Sequence, residues 1–141
     1  MGSENKHRKS LVLVVEDQEI NRDILGLILE DDYDVLYACN GAEGLALLRE
    51  NLSELSIMLL DLIMPVMDGY EVLRQVRVDP ELARIPIIVL TAEKSAELEA
   101  LQLGAADFIT KPFEMNEIIL ARVERLVQLT ESHRLIQATE Y

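Results

Sequence analysis

The strongest constraint on the fold is a fivefold alternation of short apolar runs with amphipathic segments. Short uninterrupted apolar runs are typical of strands buried on both faces, and the segments between them are typical of helices that cross over to the next parallel strand. Right-handed crossovers leave few other topologies. The alternation therefore predicts an α/β protein with a doubly wound, five-stranded parallel sheet and five helices.

The predicted strands cover residues 11–15, 33–38, 56–60, 87–91 and 107–110, and the predicted helices cover residues 21–31, 41–51, 70–79, 95–104 and 114–129. Two glycines mark boundaries between these elements. Gly104 is placed as the residue that follows a helix C-terminus. Asp68-Gly69 indicates a turn before the third helix, in which the glycine permits a left-handed backbone.

Polar side chains stand at the ends of four predicted strands, as Glu16-Asp17, Asp61, Thr91 and Lys111. In open parallel sheets the carboxyl ends of the strands meet at one edge, where ligands bind. We therefore expect three acids, a hydroxyl and a lysine to converge there. Any single acid is also explained as a solvated strand end, so the prediction depends on the complete set.

Three carboxylates brought together repel each other, and a divalent cation relieves that repulsion. A site with a few acids and water ligands suits Mg²⁺. The net charge of −13, from 26 acidic and 13 basic residues, agrees with a site that attracts cations. It also disfavours nucleic-acid binding, which needs clustered Lys and Arg.

Length and hydropathy place the chain in a broad class. Its 141 residues are about one domain long. The lone Cys39 excludes an internal disulfide and a multi-cysteine metal site. No apolar run approaches the ~18 residues that span a bilayer, and the polar first residues lack the apolar core of a signal peptide. We expect a cytoplasmic protein with no membrane contact.

The motifs VVED, LLDLIMP-MDG, VLTA and GAADFITKPF together resemble the receiver domain of two-component response regulators, over about residues 11–129. The resemblance implies the flavodoxin-like receiver fold with strand order 2-1-3-4-5. It also implies a phosphorylation-driven switch that is not an enzyme, except that it catalyses its own phosphorylation and dephosphorylation.

The resemblance assigns the central role to Asp61, as the phosphoacceptor that takes a phosphoryl group from a phosphohistidine on a partner protein. Asp17, Asp61 and the backbone carbonyl of Ile63 are implied to bind Mg²⁺ (or Mn²⁺) directly. Glu16 would complete the acidic pair and act largely through water.

The resemblance also implies roles for residues that surround the acceptor. Lys111 would pair with Asp61 and then with a phosphoryl oxygen, and its bond to Pro112 would be a cis peptide. Thr91 would be the switch hydroxyl and Phe108 the switch aromatic. Simpler readings remain open, with the lysine on the surface beside a turn and the phenylalanine in ordinary core packing.

Two further positions vary among receivers and affect the lifetime of the phosphoryl group: Ile63, two residues after Asp61, and Glu93, two residues after Thr91. A branched apolar side chain at Ile63 would shield the acyl phosphate from water, whereas Glu93 would orient the attacking water. Gly69 is expected to have a structural role.

The expected partner is a sensor histidine kinase or a histidine phosphotransfer protein. A fused or separate output domain, or a second copy bound through the fourth helix, fifth strand and fifth helix, would receive the signal. Residues 1–9 are expected to be disordered or tag-derived, 10–129 to form the receiver, and 130–141 to form a helical extension or linker to an output module. The ending QATEY is similar to stretches that precede diguanylate cyclase domains.

Two alternatives use the same fold: a phosphorylation-independent interaction scaffold, and a phosphatase-like enzyme that forms an aspartyl phosphate. Phosphatases of the haloacid-dehalogenase type resemble D-x-D after strand one, whereas the acceptor here follows strand three. The loop EDQEIN after the first strand lacks the glycines and hydroxyls of a flavodoxin-like phosphate cradle. A P-loop NTPase is excluded because G-x-x-x-x-G-K-[ST] is missing.

Overall fold

A computed structural model describes residues 9–113 and 116–138 of the chain. Its five strands form one parallel sheet in the order β2-β1-β3-β4-β5, which confirms the predicted fold and strand order. The strands are β1 (Ser10–Val15), β2 (Tyr33–Ala38), β3 (Leu55–Asp61), β4 (Ile87–Thr91) and β5 (Asp107–Thr110). The helices are α1 (Glu19–Leu29), α2 (Gly41–Glu50), α3 (Gly69–Arg77), α4 (Lys94–Gln102) and α5 (Asn116–Ala138), with a 3₁₀ turn at Leu82–Arg84.

Helices cover both faces of the sheet, as alternate residues of β1 demonstrate. Val12 and Val14 pack in a cluster with α1 and α5, whereas Leu13 and Val15 pack in a second cluster with α2, α3 and α4. All seven residues of β3 are buried. Because the central strands are covered on both sides, their sequences are continuously apolar rather than alternating.

The register of the sheet aligns the carboxyl ends of β3, β4 and β5, three of the four strands that carry the candidate site. Asp61, the last residue of β3, pairs with Leu90, and Thr91, the last residue of β4, pairs with Thr110. β1 lies between β2 and β3, so the strand order reverses at β1: the chain first adds β2 on one side and then β3 on the other. The candidate residues therefore stand at the topological switch point of the sheet, where ligands bind in such folds.

Helix boundaries follow from local side-chain chemistry. Asn40 and Asp68 precede α2 and α3, and their side chains accept hydrogen bonds from the backbone N–H groups of Glu43 at 2.9 Å and Glu71 at 3.0 Å. These are N-caps of the usual kind. Gly104 has a φ of +107° just after α4, which confirms its predicted place at that helix end.

Helix α5 continues without a break to Ala138, past residue 129, where the receiver is expected to end, and into the segment expected to be a helical extension or linker. The buried Thr130 donates a hydrogen bond to the carbonyl of Ser56 at 2.9 Å, and the Arg134 guanidinium donates to the carbonyls of Leu52 and Leu55. The extension thus packs at the start of β3, opposite the candidate site. Neither α5 nor any other helix in the described ranges is long and apolar enough to cross a membrane.

Some predicted features lie outside the described residues. These are residues 1–8, where a disordered or tag-derived segment is expected, the predicted helix start at residues 114–115, and residues 139–141 of the QATEY ending.

Candidate functional site

Asp61 lies at the end of β3 with only 4% of its surface exposed. The loop that follows it folds back tightly, since the N–H of Gly69 donates to the carbonyl of Leu62 at 2.9 Å. A Cβ at Gly69 would lie 2.3 Å from the Asp61 carbonyl oxygen. Gly69 does not adopt the left-handed conformation expected for it: it begins α3 without a positive φ, and the close approach of the backbone explains the glycine instead.

Glu16 and Asp17 directly follow the neighbouring strand β1 and lie beside Asp61. Glu16 is fully buried and Asp17 half-buried, and carboxylate oxygens of all three acids lie within 4.8 Å of one another. This is the convergence that the strand ends predict. Carboxylates at this spacing are unfavourable without compensating positive charge.

The N-cap residue and the first turn of α1 orient the acidic pair. The N–H of Gln18 donates to Glu16 Oε2 at 3.0 Å, and its side-chain amide donates to Asp17 Oδ2 at 3.2 Å. The guanidinium of Arg22 donates to the carbonyl of Glu16 at 2.8 Å. Sequence reasoning missed both residues, and only their closeness to Glu16-Asp17 in the segment EDQEINR signals them.

Lys111 supplies positive charge from the end of β5. Its Nζ lies 2.7 Å from Glu16 Oε1 and 3.2 Å from Asp61 Oδ2, and the Lys111–Pro112 bond is cis. Glu16 Oε1 is buried and accepts no well-aligned hydrogen bond. Its negative charge is compensated by the adjacent Lys111 ammonium. These contacts exclude the alternative of a solvated surface lysine.

Proton affinities in the site reflect this crowding. Burial first, and then repulsion from Glu16, raise the pKa of Asp61 to about 7, although Lys111 opposes them. Burial would lower the pKa of Lys111, but its contacts with Glu16 and Asp61 outweigh burial and raise it. Three carboxylates against one ammonium leave a surplus of negative charge that a cation can neutralise.

The residues present fit a hard divalent cation. Glu16, Asp17 and Asp61 offer oxygen ligands at a shared point, and one buried oxygen of Glu16 is poorly satisfied. The N–H of Ile63 donates to Asp61 Oδ1 at 3.4 Å, so the backbone of Ile63 begins beside the acids. Oxygen-only ligand sets of this kind suit Mg²⁺.

Thr91 lies at the end of β4, adjacent to β3, and is almost fully buried. Its hydroxyl accepts from the N–H of Glu93 at 3.0 Å and contacts the Glu93 carbonyl at 3.3 Å. In this arrangement the hydroxyl is engaged by its own loop rather than by Asp61. Ile63 and Glu93, predicted to tune the phosphoryl lifetime, are both exposed in the loops after β3 and β4.

Phe108 is half-buried in β5 and packs against the cluster beneath α2, α3 and α4. Arg122 of α5 stands over its ring, with the guanidinium carbon 5.5 Å from the ring centroid, and donates a hydrogen bond to the Phe108 carbonyl. The core-packing reading is therefore incomplete, because one side of the ring meets a cation. Sequence reasoning missed Arg122, which looks like an ordinary surface residue of an amphipathic helix.

Comparison with known proteins agrees with this geometry. The family described as "Response regulator receiver domain" matches the chain over residues 12–123. The chain is 38% identical over 139 residues to hybrid signal transduction histidine kinase D of Dictyostelium discoideum, a match that covers 96% of the chain and 9% of that protein. It is 37% identical over 130 residues to the transcriptional regulatory protein SrrA of Staphylococcus aureus, covering 90% of the chain and 52% of that protein.

A solved structure gives the same result. The signal receiver domain of a signal transduction histidine kinase from Syntrophus aciditrophicus has a TM-score of 0.74 and 34% sequence identity, covering 84% of this chain and 90% of that one. The chain thus matches nearly all of an isolated receiver structure, but spans only about half of SrrA and a tenth or less of the hybrid kinase.

Proposed function

The chain belongs to the response regulator receiver domain family, and on that premise we propose that it is a signalling switch whose phosphoryl acceptor is Asp61. One observation carries the proposal: a buried carboxylate at a strand end, with Glu16 and Asp17 on one side and the ammonium of Lys111 at 3.2 Å. A structural acid would not need two acidic neighbours at this distance, whereas a phosphoryl acceptor with a cation does.

The donor is a phosphohistidine on a sensor histidine kinase or histidine phosphotransfer protein. An oxygen of the Asp61 carboxylate forms a bond to phosphorus as the bond from phosphorus to the imidazole nitrogen breaks, and that nitrogen keeps the electron pair. Such transfers have loose transition states, so their catalysis depends on positioned charge. Lys111 supplies that charge by moving from Asp61 to a phosphoryl oxygen, and the chain thereby assists its own modification.

Asp17, Asp61 and the Ile63 carbonyl would hold Mg²⁺ or Mn²⁺ directly, with Glu16 acting largely through water. When bound, the cation neutralises the carboxylates and the charge that develops on the phosphoryl oxygens. The raised pKa of Asp61 gives this requirement a physical basis: without added positive charge, a large fraction of the acceptor is protonated near neutral pH and cannot attack.

Signal output begins at Thr91. Its hydroxyl now bonds the Glu93 backbone, and a phosphoryl oxygen on Asp61 offers a stronger, charged acceptor. Thr91 turns toward it, and the Phe108 ring enters the space that Thr91 leaves. The surface of α4, β5 and α5 then changes its preference for an output domain or a second copy, as a local charge event biases a two-state element. Ile63 and Glu93 set how long the acyl phosphate survives.

Residues 10–129 form the receiver in this proposal. Residues 130–138 form a helical extension that leads toward an output module, which accords with the greater length of the curated relatives.

Labelling with acetyl phosphate tests the proposal. The wild type should gain one phosphoryl group in the presence of Mg²⁺ and none with EDTA, and Asp61→Asn should gain none. Asp68→Asn is the matched control, since asparagine caps α3 as well as aspartate does and should leave labelling intact. Absence of labelling in the wild type would favour a phosphorylation-independent scaffold. Rapid turnover of many donor molecules would favour a phosphatase-like enzyme.

A further inference from the structure

Asp107, the residue before Phe108 in β5, contacts two arginines of α5. Asp107 Oδ1 accepts a hydrogen bond from the N–H of Phe108 at 2.8 Å. Asp107 Oδ2 lies 3.8 Å from Nε of Arg122 and 3.3 Å from Nη2 of Arg125, both on α5. The carboxylate therefore fastens α5 to β5 beside the aromatic ring.

The two arginines share this carboxylate but differ in what else they touch. Arg122 is half-buried, donates to the Phe108 carbonyl and lies over the Phe108 ring. Arg125 has 64% of its side chain exposed and contacts Asp107 without reaching the ring. A guanidinium within about 6 Å of a ring centroid is attracted to the face of that ring.

We infer that Arg122 is a positioning residue of the switch, which holds the Phe108 ring in its resting place and so sets how readily phosphorylation moves it. The inference rests on the proposed function of Asp61, Thr91 and Phe108. Nothing in the sequence motifs assigns a role to Arg122, since it belongs to the last helix rather than to the strand ends.

Only contacts that differ between two states shift the balance between them. The bond from Arg122 to the Phe108 carbonyl and its ion pair with Asp107 involve parts of the chain that stay in place when the ring rotates. The contact between the guanidinium and the ring, in contrast, is lost when the ring rotates. Val89 pairs with Phe108 in the sheet, and Thr91 lies two residues later on the same face, so a ring that turns toward Thr91 moves away from α5.

Loss of the guanidinium should therefore favour the activated state. An exposed or half-exposed cation–π contact corresponds to about a two- to fivefold change in the equilibrium. Arg122→Gln should raise the affinity for beryllium trifluoride, a mimic of the phosphoryl group on Asp61, by this factor. Arg125→Gln should leave that affinity at the wild-type value, because Arg125 does not touch the ring.

The experiment is a titration of the Mg²⁺-loaded protein with beryllium trifluoride, followed by NMR at the Thr91 methyl group. It uses the wild type, Arg122→Gln, Arg125→Gln, Phe108→Leu and the double variant Arg122→Gln/Phe108→Leu. If Arg122 acts through the ring, its substitution changes affinity in the wild-type background and has no effect in the Phe108→Leu background.

Each other outcome overturns the inference. An equal gain in affinity in Arg122→Gln and Arg125→Gln would show that the shared carboxylate, not the ring, matters, and no gain in either would show that Arg122 does not hold the ring. A change that persists in the Phe108→Leu background would show that Arg122 acts through the backbone or Asp107. If the wild type does not bind the mimic, the proposed function itself fails, which is distinct from normal binding without an Arg122 effect.

Discussion

The ammonium of Lys111 lies 2.7 Å from Glu16 Oε1, closer than the 3.2 Å that separates it from Asp61 Oδ2. The lysine therefore compensates the fully buried acid that follows β1 as well as the proposed acceptor at the end of β3. It has a structural role in the unphosphorylated protein, and that role is open to measurement without any phosphodonor.

Substitution of Lys111 should destabilise the protein. Lys111→Gln leaves the buried Glu16 carboxylate without its counterion, and breaking a buried pair in this way costs about 3 kcal/mol of unfolding free energy. Urea denaturation at pH 7 in EDTA measures the loss, and added Mg²⁺ should restore part of it. The exposed Lys94 gives the control, because Lys94→Gln should change stability by less than about 0.5 kcal/mol. Equal stabilities of the two variants would mean that the Glu16 pair contributes little.

The raised pKa of Asp61 predicts how stability depends on pH. The native state holds a proton up to about pH 7, whereas the unfolded chain releases it near the ordinary value of 3.8. Native protein thus binds more protons between these values, and stability must fall as pH rises through that window. Asp61→Asn removes this loss, so in EDTA at pH 8 the variant should be more stable than wild type by roughly 1–3 kcal/mol.

Urea denaturation of both proteins from pH 4 to pH 8 measures this difference. It should shrink toward the acid end of the series, where the native state keeps its proton and the unfolded chain takes up protons as pH approaches 3.8. A difference that stays constant with pH would mean that Asp61 does not titrate in this range.

Gly69 should be intolerant of a side chain. Gly69→Ala places a Cβ against the Asp61 carbonyl oxygen at 2.3 Å and Leu62 Cα at 2.8 Å, both of them backbone atoms. We expect a loss of at least about 2 kcal/mol of unfolding free energy, together with slower labelling, because the backbone of the acceptor must move. At Gly104 an added Cβ meets nothing within 4 Å, so Gly104→Ala should lose only about 1 kcal/mol for its φ of +107° and should label normally.

Val66, in the loop between β3 and α3, has a φ of +70° although it is β-branched. Its side chain is 83% exposed, so little burial is lost on truncation. Val66→Gly should raise the unfolding free energy by about 1 kcal/mol, the relief of strain exceeding the entropy that glycine adds to the unfolded chain. Val78 is similarly exposed but has a φ of −89°, so Val78→Gly should lower stability instead. Thermal or urea denaturation of Val66→Gly and Val78→Gly shows whether the backbone at Val66 is strained.

The position of the candidate site is predictable from sequence because one rule of α/β sheets applies to it. Glu16, Asp61 and Lys111 follow recognisable strands, and the carboxyl ends of parallel strands must meet, so their convergence was predictable. Gly69 was placed correctly along the chain but for the wrong reason, because a backbone close approach depends on how the whole loop folds back.

Residues that act through tertiary contacts left almost no signal. Gln18 lies at the N-cap position of α1 and Arg122 lies in α5, and the pattern of an amphipathic helix does not distinguish a solvated residue from one that contacts a neighbouring segment. Arg134 lies past the expected end of the receiver at residue 129, yet it bonds carbonyls near the start of β3. Its contact depends on the length of α5, which periodicity alone did not fix.

The most direct test of the account locates the phosphoryl group. Wild-type protein is labelled with acetyl phosphate and Mg²⁺ and then reduced with borohydride, which converts an acyl-phosphorylated aspartate to homoserine. Peptide mass spectrometry should find homoserine at position 61 alone, and none when Mg²⁺ is replaced by EDTA. Homoserine at Asp17 or another acid, with Asp61 unmodified, would contradict the central claim.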